Sequence, residues 1–191
     1  MRTPQLSSFA LALSGGLLAG PASAAGLDIR IQIPQLDVAE YHRPYVAVWV
    51  EREDRSVAAN LSVWYQQKRA AAPAAAAPAA GAPPQGNEGG TKWLPDLRQW
   101  WRRGGRELSL PVDGLSGATR PVGEHDLQFG DGKTPLPALP AGKYKLMVEA
   151  AREEGGRELV EIPFEWPAKA GTPLKAQGKS ELGAVSLVVK S

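Results

Sequence analysis

The chain has 191 residues, with 22 Lys and Arg against 20 Asp and Glu, two His and no Cys. That length fits one domain with a core of its own. The near-even charge excludes binding to nucleic acid or an anionic surface on net charge alone, and without thiols no disulfide can brace the fold.

Residues 1–24, "MRTPQLSSFALALSGGLLAGPASA", carry one early arginine, an apolar run from Phe9 to Leu18, and small residues at Ala22 and Ala24. That is the pattern of a secretory signal cleaved after Ala24. The run is too short and too broken by glycine for a membrane anchor, and no cysteine offers a lipoprotein attachment point. Cleavage removes Arg2 and no acid, leaving 21 basic against 20 acidic residues and a formal charge of +1. The remainder, 25–191, is expected to be one periplasmic domain.

In "LDIRIQIPQL", Leu27, Ile29, Ile31 and Ile33 alternate with Asp28, Arg30 and Gln32, a period of two that predicts a first strand. "PYVAVWVERE" places Tyr45, Ala47 and Trp49 on one face and Val46, Val48 and Val50 on the other, as in a central strand. A third strand is expected over 61–66.

Residues 69–90, "RAAAPAAAAPAAGAPPQGNEGG", carry no apolar periodicity and no bulky side chain. Pro73, Pro78, Pro83 and Pro84 argue against a helix. The composition predicts a disordered or polyproline-like insert that interrupts the domain without dividing it.

"KWLPDLRQWWRRGG" then spaces Leu94, Leu97, Trp100 and Trp101 for one short amphipathic helix over 95–103, stopped by Gly104 and Gly105. Strands are expected at 107–111 and 125–129. The most regular stretch is "GKYKLMVEAAREEGGRELVEIPFEW", 142–166, a hairpin. Its first strand turns Tyr144, Leu146, Val148 and Ala150 to one side and is expected to be half-buried. Its second turns Val160, Ile162, Phe164 and Trp166 the same way. Gly155 and Gly156 are expected to supply the positive φ of the turn. Pro163 cannot donate in a ladder and belongs at an edge, a bulge or a strand end. Val185, Leu187 and Val189 mark a last strand. Seven or eight short strands with one helix predict a β-sandwich.

The chemical inventory is thin. His125 beside Asp126 invites a triad, but neighbours on a strand point to opposite faces, and no nucleophile elbow is present. A metal site of His42, His125 and Glu124 or Asp126 matches no standard ligand spacing. The "GKT" at 132–134 and "GKS" at 178–180 lack the glycine of a phosphate loop, having Leu127 and Pro173 instead. "FGDGKTP" has too few acids for a calcium loop. No cofactor is indicated, and no catalytic constellation. The aromatics stand out. Trp93, Trp100 and Trp101 lie beside Arg98, Arg102 and Arg103, a grouping found on interaction surfaces. The plainer reading, favoured by the helical spacing, has the tryptophans cover an open edge or end of the sandwich.

"PYVAVWVE", "KWLPDLRQWWRRGG", "SGATRPVGEHDL" and the hairpin together resemble the domain of unknown function 2271 family of predicted bacterial periplasmic proteins. The resemblance implies an exported immunoglobulin- or fibronectin-like β-sandwich and no established activity. The turn "FGDGKTPLPALPAGKY" is similar to a hairpin entry of immunoglobulin-like modules, with Phe129 where tryptophan is usual and Thr134 where an acid is usual. The family's association with a PepSY-type membrane protein and a flavin transferase implies an accessory role in envelope redox or metal uptake. Two functions follow as expectations. The first is a non-enzymatic binding or interaction module acting through the tryptophan–arginine face or a sheet edge. The second is a small-ligand or metal carrier using His42 and His125.

Osmotic release should yield a protein whose intact mass begins at Ala25. A product retaining Met1 would refute the leader.

Overall fold

The computed structural model describes residues 25–67, 89–168, 171 and 173–190. The leader over 1–24 and all of the insert except Gly89 and Gly90 lie outside them. Among the described residues nine strands form: β1 (Gly26–Ile33), β2 (Tyr45–Arg52), β3 (Val57–Tyr65), β4 (Ser116–Ala118), β5 (Gly123–Gly130), β6 (Gly142–Ala151), β7 (Arg157–Trp166), β8 (Leu174–Gln177) and β9 (Ala184–Lys190). One α-helix, α1 (Arg98–Arg103), lies between β3 and β4. The strands make a four-stranded sheet, β5-β1-β9-β8, and a five-stranded sheet, β4-β3-β2-β6-β7. All pairs are antiparallel except β3 with β4.

The expected alternations set the interior. Leu27, Ile29, Ile31 and Ile33 are buried against Val46, Val48 and Val50, Leu146 and Val148, and Val185, Leu187 and Val189. Each such side chain contributes about 1.5–3 kcal/mol when fully buried. Pro163 sits on β7, an edge of its sheet, where no further strand needs its missing N–H.

The outer face of the five-stranded sheet is covered too. Ala47, Trp49, Val63, Tyr65, Met147 and Ala151 form a second core beneath Leu94, Leu97 and Trp100. This corrects two expectations. From Leu146 to Ala151 strand β6 is buried on both faces, not half-buried. The tryptophan segment covers a sheet face, not an open edge or end of the sandwich, because β2 and β6 carry apolar residues on both sides.

That segment is also less regular than its spacing implied. A 3-10 helix, Gly90–Asp96, contains Pro95. Leu97, with ψ 69, breaks the run before α1 begins. Gly90 donates to the Gln66 carbonyl at 2.7 Å, so the last residue of the expected insert belongs to the fold. Gly104 caps α1, donating to the Trp100 carbonyl. A Cβ on Gly105 would lie 2.6 Å from the Trp100 ring, so only glycine lets the chain pass there.

The strand expected at 107–111 does not form. A 3-10 turn, Gly105–Glu107, comes first, and Leu108, Leu110 and Val112 pack against the second core. Their alternation is real, but it serves packing and not a ladder. β4 and β8 escaped the sequence pattern because strands of three and four residues are too short to show a period.

At the β6–β7 turn the positive φ belongs to Glu154, at 52°, and not to either glycine. The glycines are there for space. A Cβ on Gly155 would strike the Arg152 guanidinium, and one on Gly156 would lie 2.7 Å from the Glu181 carboxylate.

Trp100→Ala should cost ~3–5 kcal/mol through lost burial and a cavity, read as a lowered denaturant midpoint. The half-buried Trp101 should cost clearly less when changed to alanine. Equal midpoints for Trp100→Ala and wild type would refute the second core.

Candidate functional site

The six residues of the tryptophan–arginine grouping do not stay together. Trp100 is wholly buried, its indole N–H donating to Asn60 Oδ1 at 2.9 Å. Trp101 is half-buried, its ring 6.2 Å from that of Trp100. Arg102 is exposed and donates to the Arg98 carbonyl at 3.1 Å. Arg103 turns back to the Arg55 carbonyl at 2.7 Å and to Glu51 at 3.4 Å. Trp93 is different. It is 41% exposed, with the Lys92 ammonium 5.2 Å from its ring centroid.

Trp93 and Arg98 line a groove of about 550 Å³ between the 3-10 helix and the β6–β7 turn. Asp96, Arg152, Glu153, Glu154 and Arg157 supply its other charges, and Ala151 and the turn glycines complete its lining. The helical spacing could not show which tryptophan stays in water, since Pro95 and Leu97 rotate Trp93 out of the buried row.

Three buried or half-buried carboxylates hold the walls. Glu149, fully buried, accepts from the Gln99 and Trp100 amides at 2.9 Å, with Arg157 Nε 3.7 Å away. Burial pushes its carboxyl up from the ordinary range. The Trp100 and Gln99 amides oppose that, then Arg157 and Arg102. Arg152 and Glu181 form a buried pair at 2.9 and 3.2 Å, and the Gly156 amide adds a bond to Glu181 at 2.8 Å. Glu158 accepts from the amides of Lys179, Ser180 and Leu182 and from the Ser180 hydroxyl. Burial alone would raise the Glu158 carboxyl, but these donors outweigh it and hold it below the ordinary range.

The histidines go to separate settings. His125 lies with a ring nitrogen 2.8 Å from the Pro121 carbonyl oxygen and its ring edge-on to Trp64 at 5.7 Å. Its neighbours Asp126 and Glu124 reach Arg30 instead, at 2.6 and 3.7 Å. The side chains of 125 and 126 thus take different partners, as the strand period requires. His42 Nε2 lies 3.4 Å from Glu40, and Glu154 joins them. The three can present ligand atoms all within 4.8 Å of one another, a grouping without His125. The Glu40–His42 spacing was readable in the sequence; Glu154 was not, since only the hairpin turn delivers it.

A second groove, about 480 Å³, lies on the outer face of the four-stranded sheet, lined by Asp28, Arg30, Glu124, Asp126 and Lys175 among others. Its charges pair off, Arg30 with Asp126 and Asp28 with Lys190 at 2.6 Å, as on a solvated face.

Fold and site together define an all-β sandwich protein with a helical cover and an aromatic-edged surface groove. The chain belongs to the family described as predicted periplasmic protein (DUF2271), whose profile matches residues 26–184. Neither the curated proteins nor the solved structures contain a match to it. The protein is periplasmic by family, and no helix among the described residues is long and apolar enough to cross a membrane.

Stability should respond to pH in two opposed ways. Glu149, raised in the folded state, destabilises when ionised, so its cost is relieved as pH falls through its folded value. Glu158, lowered in the folded state, contributes stability above the ordinary glutamate value of about 4.3 that is lost as pH falls through its folded value. Denaturant midpoints across pH 3–8 should show a mid-acid gain absent from Glu149→Gln and a low-pH loss reduced in Glu158→Gln. Wild-type profiles in both variants would contradict these assignments.

Proposed function

We propose that the protein is a periplasmic, non-catalytic binding module, one domain over 25–191, that engages an envelope partner through the groove at Trp93, Arg98 and Arg157. The observation that carries this reading is the exposure of Trp93 at the mouth of a groove whose rim also bears arginines. Tryptophan and arginine are the side chains that most often dominate binding energy at interfaces. An aromatic ring covers large area at little entropy cost, so its burial by a partner is favourable. The flanking acids Glu153 and Glu154 add charge of the other sign, which suits a partner read by register more than by net charge.

The same reading takes the sandwich as immunoglobulin-like. β1 runs between β5 and β9, and β2 between β3 and β6. The Tyr144 hydroxyl donates to the Pro140 carbonyl at 2.8 Å, a corner of the kind that fold places before its penultimate strand. The last strand, β9, occupies the place of that fold's first. Modules of this architecture bind through the loops at an end. The PepSY-type membrane protein and the flavin transferase implied by the family resemblance are the first partners to test, with an accessory part in envelope redox or metal uptake.

A photoreactive side chain at 93 or 98 should give a cross-linked adduct in intact envelopes, while one at 128, on the outer face of the other sheet, should not. Trp93→Ala should weaken the adduct formed from 98. Equal adducts from 128, or none from the groove, would refute the site.

A further inference from the structure

The geometry points to a first-row divalent metal site, of the kind that takes Zn²⁺, formed by Glu40 and His42 from the β1–β2 loop and Glu154 from the β6–β7 turn. It is separate from the partner-binding reading, although Glu154 also lines the groove.

The ligand chemistry comes first. One imidazole nitrogen and two carboxylate oxygens form a borderline-to-hard donor set, suited to Zn²⁺ and its first-row neighbours. Ligands held about 2.0–2.2 Å from a tetrahedral ion lie roughly 3.4 Å from one another. His42 Nε2 and Glu40 Oε1 are 3.4 Å apart, and one ligand atom from each of the three residues lies within 4.8 Å of the others. A small closure of one exposed side chain completes the triangle. The remaining coordination position opens to solvent, since Glu40 and Glu154 are exposed and His42 is half-buried.

The framework beneath the ligands is fixed. Tyr41, between Glu40 and His42, buries its hydroxyl within the field of Arg152 and Glu181. The turn bearing Glu154 is closed by Arg152 N–H to the Gly156 carbonyl at 3.1 Å and Gly155 N–H to the Arg152 carbonyl at 3.0 Å. Arg152 and Glu181 are themselves paired and only 7% and 4% exposed. The turn that bears Glu154 is thus braced by a buried ion pair, with Gly156 N–H also bonded to Glu181 at 2.8 Å. Glu154 takes its place at φ 52°, a left-handed position with Gly155 next to it in the chain. Two carboxylates brought this close repel each other. A cation between them turns that repulsion into attraction.

The test is calorimetric titration of tag-free mature protein with ZnCl₂. Wild type should bind one equivalent. His42→Ala and Glu154→Gln should each weaken binding at least tenfold, and His125→Ala should leave it unchanged. Zinc should also raise the melting temperature of wild type and His125→Ala but not of the other two variants. No saturable binding, or equal binding by His42→Ala, would overturn the site and leave only a His42–Glu40 contact. If a variant folds poorly, X-ray absorption of zinc-loaded wild type decides. One imidazole with oxygen neighbours supports the site, and two imidazoles or none refute it. Cross-linking from position 93 without zinc tests the partner groove by itself, so the two readings can fail separately.

Discussion

Ala47, Trp49 and Met147 point away from the interior of the sandwich, and among the described residues no third sheet receives them. An exposed face of that composition would be an association surface, so the chain must cover it. The cover comes from the segment between β3 and β4, which places Leu94, Leu97 and Trp100 on that face. Much else follows from this requirement. Gly105 must be small because Trp100 fills the space against it. Glu149 must be buried because α1 lies over β6 and needs an acceptor for its first amides. The groove exists because the cover ends before the β6–β7 turn does.

Buried carboxylates tie the layers together. Glu51 accepts from the Trp49 indole at 2.8 Å and lies 3.4 Å from Arg103, joining β2 to the end of α1. Glu149 joins β6 to the start of α1. Glu158 and Glu181 join the hairpin to the loop before β9. Each carboxylate carries a desolvation cost, offset by donors aimed at it from distant parts of the chain. Removing one partner leaves a buried charge unpaired, so these ties fix geometry more than they add net stability. The Arg152–Glu181 pair illustrates this. A Cβ on either neighbouring glycine would strike the pair, and the left-handed position of the turn falls to Glu154.

Where a strand has one apolar and one polar side, its sequence told which residues face inward, as at Leu27 to Ile33 and Val185 to Val189. Where both sides are apolar, periodicity reported a strand but not its second partner. That is why β2 was readable as central while the layer over it was not. The helix was visible in the spacing of Leu94, Leu97 and Trp100, but its division at Leu97 depends on backbone angles that spacing does not encode. The candidate site was legible in pieces. Trp93 and Arg98 were in view among six candidates, and His42 was in view beside His125 instead of Glu40 and Glu154. Separating Trp93 from Trp100 needs the sheet beneath them, and joining Glu154 to His42 needs the hairpin folded.

The two candidate surfaces differ in how their charges are arranged. On the outer face of the four-stranded sheet, Arg30, Asp126, Asp28 and Lys190 pair among themselves across neighbouring strands, and a ligand there would have to break those pairs. At the β6–β7 turn the pairing is arranged differently. Arg152 and Glu181 are buried together, which stiffens the backbone and takes their charges out of the surface. Glu154 is carried on that braced turn, and Trp93 and Arg98 face it from the segment between β3 and β4. On the proposed reading, a turn already braced by a buried pair would let an incoming partner or ion gain contacts with less ordering cost.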